Sequence, residues 1–83
     1  MTTKLNSGFI IDVGGEPGFQ DLAAEIYYRE EFVGLISQEA GYNLLTLQLY
    51  QPQKGKYWEF NLNEFEEALA TAKRRLWELR KTG

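Results

Sequence analysis

Eighty-three residues, 43% of them apolar and 25% charged, read as one small globular domain, 1–83, with material for a single core. The chain contains no Cys and no His, which removes disulfides, thiolate nucleophiles, Cys/His zinc sites and an imidazole base from the available chemistry. Nine Lys+Arg against twelve Asp+Glu leave a formal charge of -3, which argues against a broad polyanion-binding surface.

The first predicted element is a short strand from Gly8 to Val13, with Phe9, Ile11 and Val13 on one side under the period-two rule. Gly14-Gly15-Glu16-Pro17-Gly18 ends it, because three glycines and a proline supply turn geometry without core side chains. This 14–18 loop resembles a phosphate cradle in glycine content alone: no Walker lysine follows, and Glu16 would repel phosphate.

Asp21 to Arg29 and Glu31 to Gln38 predict a hairpin turning at Arg29-Glu30. With a two-residue loop, Tyr28 faces Glu31, Tyr27 faces Phe32, Ile26 faces Val33 and Ala24 faces Leu35. Leu22, Ala24, Ile26, Val33 and Leu35 then share one face, and Tyr27, Phe32 and Ile36 the other. Arg-Glu is a poor tight-turn pair beside Asn-Gly or Asp-Gly, so the register is open to a one-residue slip.

A second hairpin is expected from Tyr42–Tyr50 returning through Gln51-Pro52-Gln53-Lys54-Gly55. It pairs Leu49 with Trp58 and Leu47 with Phe60 in the core, leaving Leu44, Tyr50 and Tyr57 on the other side. The last element is an amphipathic helix over 61–80. Asn61 caps it, Glu64 completes a capping box, and Phe60 staples against Phe65. Leu62, Phe65, Leu69, Ala72, Leu76 and Leu79 form its apolar stripe. The sum is an α+β fold: a small antiparallel β-meander of four or five strands with one long C-terminal helix packed on one face.

One helix covers one face of a sheet, so the large side chains expected on the other face, Tyr27, Phe32, Ile36, Leu44, Tyr50 and Tyr57, form a candidate protein interface. Tyrosine suits such a surface, since its ring buries apolar area while its hydroxyl stays hydrated. Glu25, Glu30 and Glu31 give that interface an acidic margin suited to a basic partner. The competing structural reading has the sheet curl around these residues, or the first strand and the glycine-rich loop cover them.

The opposite electrostatic pole lies at the C-terminus, where residues 73–83 hold five bases and one acid. Lys73, Arg74, Arg75, Trp77, Arg80 and Lys81 are the candidate nucleic-acid contacts, although a helix C-terminus favours such cations without any ligand. The carboxylates form no catalytic pair by spacing, and no catalytic, metal or cofactor site is expected. No apolar run approaches the roughly eighteen residues of a membrane span, and the start lacks the long apolar run of a leader, so a cytoplasmic protein without membrane contact is expected.

Two further functional readings accompany a non-catalytic protein-binding module of the inhibitor or antitoxin kind: a nucleic-acid-associated regulator using the basic helix end, and a homo-oligomeric accessory whose second face is covered by another copy.

Overall fold

Apolar residues of the N-terminal half build three neighbouring strands, a short polar strand, Thr2–Lys4, pairs at one edge, and a fifth joins from the middle of the chain. The protein is described here by a computed structural model covering residues 1–82, with side chains described for residues 1–79. The strands are β1 (Thr2–Lys4), β2 (Phe9–Gly14), β3 (Ala23–Tyr28), β4 (Glu31–Ser37) and β5 (Thr46–Leu49), paired antiparallel in the order β1-β2-β3-β4-β5. Helix α1 (Leu62–Thr82) packs against β2 and β3 on one face. The meander with one covering helix forms as predicted, but its five strands include β1, which the hydrophobic periodicity does not predict, and lack the strand expected through Trp58 and Phe60.

The core lies between that face and the helix. Phe9, Ile11 and Val13 of β2, Ala24 and Ile26 of β3, and Val33 and Ile36 of β4 are buried against Ala68, Ala72 and Leu76 of α1. Alanines at 68 and 72 let the helix backbone approach the sheet closely. The predicted stripe forms at Phe65, Leu69, Ala72, Leu76 and Leu79, with two changes: Ala68 joins it, whereas Leu62 is 69% exposed. The helix start shows the predicted Asn61 cap and the Phe60–Phe65 staple. Asn61 Oδ1 accepts the Glu64 backbone N–H at 3.0 Å, and the Phe60 and Phe65 rings stack at 5.2 Å.

The β3–β4 hairpin turns at Arg29-Glu30, both in left-handed conformation with φ of 49° and 71°. Tyr28 opposes Glu31 and Tyr27 opposes Phe32, as expected. A bulge then shifts the register by one residue, so Ile26 opposes Gly34 and Ala24 opposes Ile36. This corrects the predicted sorting of β4: Ile36 belongs to the helix-facing core and Leu35 to the opposite face. Strict period-two alternation cannot anticipate an inserted residue.

The predicted second hairpin does not form. After β5, residues 50–61 cross back without strand pairing, and Trp58 and Phe60 reach the core by a different route. The Trp58 indole N–H donates to the Tyr50 carbonyl at 2.7 Å, and Phe60 packs against Phe9 and Tyr28, each at 5.0 Å between ring centroids. An aromatic cluster replaces a strand. β5 is consequently an edge.

The loop after β2 is tied down from a distance. The Glu39 carboxylate accepts the backbone N–H groups of Gln20 (2.8 Å) and Asp21 (3.0 Å), and the Gln38 side-chain amide donates to the Leu22 carbonyl at 2.9 Å. These two backbone bonds hold the Glu39 carboxyl below its ordinary pKa. Among the described residues, no helix is long and apolar enough to cross a membrane.

Candidate interaction face

The sheet face away from α1 carries two adjacent transverse rows, set by the strand register. One row runs Lys4, Ile10, Tyr27, Phe32, with Tyr50 at its end. The next runs Thr2, Asp12, Glu25, Leu35, Gln48. An apolar and aromatic band therefore lies beside an acidic one.

Tyr27 and Phe32 are half-buried and meet at 5.4 Å between ring centroids, and Phe32 meets Tyr50 at 5.1 Å. Tyr50 is 47% exposed and forms the open end of the band. In the acidic row, Asp12 and Glu25 sit directly opposite one another on neighbouring strands, an arrangement that like charges disfavour. Asp12 is compensated: Thr2 Oγ1 donates to it at 3.0 Å, and the N-terminal amine lies 3.7 Å away. Glu25 is not compensated in that way. Partial burial, then the Glu16 and Asp12 charges, push its carboxyl above its ordinary pKa, despite an opposing hydrogen bond from Tyr27. Partial burial and Glu25 likewise raise the Tyr27 phenol.

Of the six predicted interface residues, the fold brings Tyr27, Phe32 and Tyr50 together. The other three are corrected. Ile36 lies in the helix-facing core, for the reason given by the bulge. Leu44 is exposed in a 3-10 turn, Tyr42–Leu44, rather than on a strand. Tyr57 is exposed in the unpaired crossing, where no strand register sets its side. Of the predicted acidic margin, only Glu25 joins the face. Glu30 occupies the exposed turn, and Glu31 opposes Tyr28 and accepts the Gln53 backbone N–H at 2.7 Å. Asp12 and Glu16 take their place.

The basic helix end does not present one surface. Lys73 and Arg74 are exposed, while Arg75 turns to Glu78 and donates to it at 2.7 Å. Trp77 packs on the Tyr42 ring at 5.0 Å, and the Tyr42 hydroxyl donates to the Lys73 carbonyl at 3.0 Å. The side chains of Arg80 and Lys81 lie outside the described residues. Among the described residues, no group of three or more acidic side chains is arranged to hold a metal ion.

A second uncovered region was not expected from the sequence. Leu47 and Leu49 of β5, predicted to be core, are 39% and 56% exposed. They point to the helix side, opposite Ile36 and Gly34, but α1 packs chiefly over β2 and β3 and leaves them exposed. A groove of about 420 Å³ runs between Ile36, Tyr42, Leu45, Leu47, Leu69 and Lys73. The sequence does hold a signal for this edge: residues 40–53 contain no charged side chain.

In comparisons with known proteins, no family model, curated protein or solved structure matches the chain.

Proposed function

We propose that the chain is a small protein-binding module that docks a basic polypeptide on its helix-free sheet face, in the manner of an inhibitor or a neutralising antitoxin. The observation carrying this reading is the adjacency of the Tyr27–Phe32–Tyr50 ring row to the Asp12–Glu25 row. Aromatic rings supply apolar contact area and π faces for Arg or Lys, and neighbouring carboxylates supply attraction and orientation. The uncompensated charge of Glu25 strengthens the match, since a cation placed there relieves repulsion already present in the free protein.

The test is pairwise calorimetry with a captured partner, comparing wild type with Tyr50→Ala, Glu25→Gln and Arg74→Glu. Tyr50→Ala and Glu25→Gln should each weaken binding at least about tenfold, which is about 1.4 kcal/mol. Added salt should slow association, and Arg74→Glu should leave affinity within about twofold. Undiminished binding by folded Tyr50→Ala and Glu25→Gln, or a partner contacting Arg74, would refute the assignment.

A further inference from the structure

We propose that β5 is a homodimerisation edge, at which two copies join their sheets into one ten-stranded sheet with Gln48 on the two-fold axis. This does not rest on the docking of a basic partner: it uses the outward backbone of β5, and the two surfaces adjoin at Tyr50 and Gln48.

Hydrogen-bond geometry comes first. The Tyr50 backbone N–H donates to the Val33 carbonyl at 2.9 Å, and the register continues through Gly34–Leu49, Leu35–Gln48 and Ile36–Leu47. Antiparallel pairs alternate between bonded and non-bonded, so the Tyr50 amide and the Gln48 amide and carbonyl face β4, the Tyr50 carbonyl accepts from Trp58, and Leu47 and Leu49 direct their amides and carbonyls outward. A two-fold axis through Gln48 and normal to the sheet places Leu47 opposite Leu49 of the second copy, twice. Both outward pairs are then satisfied, and both helices lie on the same side of the joined sheet.

The side chains agree with that register. All four leucines fall on the helix side, where the 39% and 56% exposed Leu47 and Leu49 gain the cover that α1 does not provide. The two Gln48 side chains meet on the other face, where amides can bond one another.

Charge agrees as well. Each copy is acidic, with a net charge of -3, yet the stretch 40–53 that would meet itself is neutral. The Glu25 carboxylates on β3 of each copy would stand five strand spacings apart, about 24 Å, beyond the Debye length of about 8 Å, and the nearer Glu31 on β4 is held by the Gln53 backbone N–H. Sheet edges in monomeric proteins are commonly blocked by lysine, proline or a bulge. β1 carries Lys4, whereas Thr46-Leu47-Gln48-Leu49 carries none of these devices. A four-residue edge is short, which predicts a reversible dimer with micromolar rather than nanomolar affinity.

The test is sedimentation equilibrium on the full chain from about 1 μM to 1 mM, with wild type, Leu49→Lys and, as a control, Leu62→Lys. Wild type should pass from monomer to dimer. Leu49→Lys should raise the dimer dissociation constant at least about tenfold, and Leu62→Lys should match wild type. Backbone amide exchange on wild type gives an independent reading, in which protection of Leu47 and Leu49 rises with concentration and that of Gln48 changes little. A monomer at 1 mM, a dimer unaffected by a folded Leu49→Lys, or outer-edge amides indifferent to concentration would overturn the proposal. A basic partner still captured by a strictly monomeric protein would overturn the dimer alone.

Discussion

Replacing Gly34 with Ala probes the feature on which the sorting of the two faces depends. Gly34 sits at the β4 bulge, opposite Ile26 on one side and Leu49 on the other. A Cβ built there would overlap the Gln48 carbonyl oxygen and lie 3.1 Å from both the Gln48 carbonyl carbon and the Leu49 Cα. Carbon pairs prefer about 3.5–4.0 Å, and these neighbours are backbone atoms that cannot rotate away. Forced overpacking of this kind costs about 1–3 kcal/mol, against which the reduced freedom of an unfolded alanine returns about 0.4–1 kcal/mol. The net loss should be about 1–2 kcal/mol, or a fall in Tm of roughly 5–15 °C for a domain of this size. The assay is a thermal melt by circular dichroism, paired with amide exchange to locate the damage. Protection should fall first at residues 46–49, because β5 pairs with β4 alone and is the element able to move. An unchanged or higher Tm would refute both the close approach and the register that creates it.

Other perturbations test separate parts of the structure. Leu76→Ala empties a fully buried site between helix and sheet and should cost about 2–5 kcal/mol in a denaturant melt, far more than Leu62→Ala on the exposed side of the helix start. Arg29→Asn with Glu30→Gly replaces two left-handed residues by the pair that this turn favours, and should raise stability by about 1 kcal/mol. Glu25→Gln should stabilise the protein at neutral pH. The folded state raises the Glu25 pKa and so holds the proton to higher pH than the unfolded chain, which makes its contribution to stability grow as pH falls through that raised value. The advantage of the variant should therefore shrink as pH is lowered towards about 4, measured by urea titrations across the range. An advantage that is constant with pH would rule out the charge crowding.

Local chemistry made β2, the Arg29-Glu30 turn and the helix start legible, while β1, three residues with no apolar side chain, carried no signal. Phe9, Ile11 and Val13 alternate without interruption and occupy one buried face, and Asn61 with Phe60 and Phe65 fixes where the helix begins. Both are decided by neighbours in sequence. The errors arise where distant parts of the chain decide. Period-two counting through β4 sends Ile36 outward, but the bulge at Ile26/Tyr27 returns it to the core and sends Leu35 to the other face. Pro52 and Gly55 mark a turn, yet Phe60 packs on the rings of Phe9, Tyr28 and Phe65 and Trp58 stacks on Phe60, in place of a strand pairing with β5.

These two departures determine which surfaces the protein has to offer. The bulge removes Ile36 from the helix-free face, so the band there narrows to Tyr27, Phe32 and Tyr50 and lies directly beside Asp12 and Glu25. The aromatic detour removes the strand that would have covered β5, so Leu47 and Leu49, which fit a core by pattern, stand at an open rim. A neutral leucine edge and an acidic aromatic face have opposite solvent responses. Salt screens the attraction of the face for a basic partner but leaves a backbone-paired, uncharged edge nearly unaffected. A salt titration that dissociates a bound partner while self-association persists would separate the two surfaces within one molecule. Parallel loss of both would place them on one contact, at Tyr50, where the aromatic band meets the β5 edge.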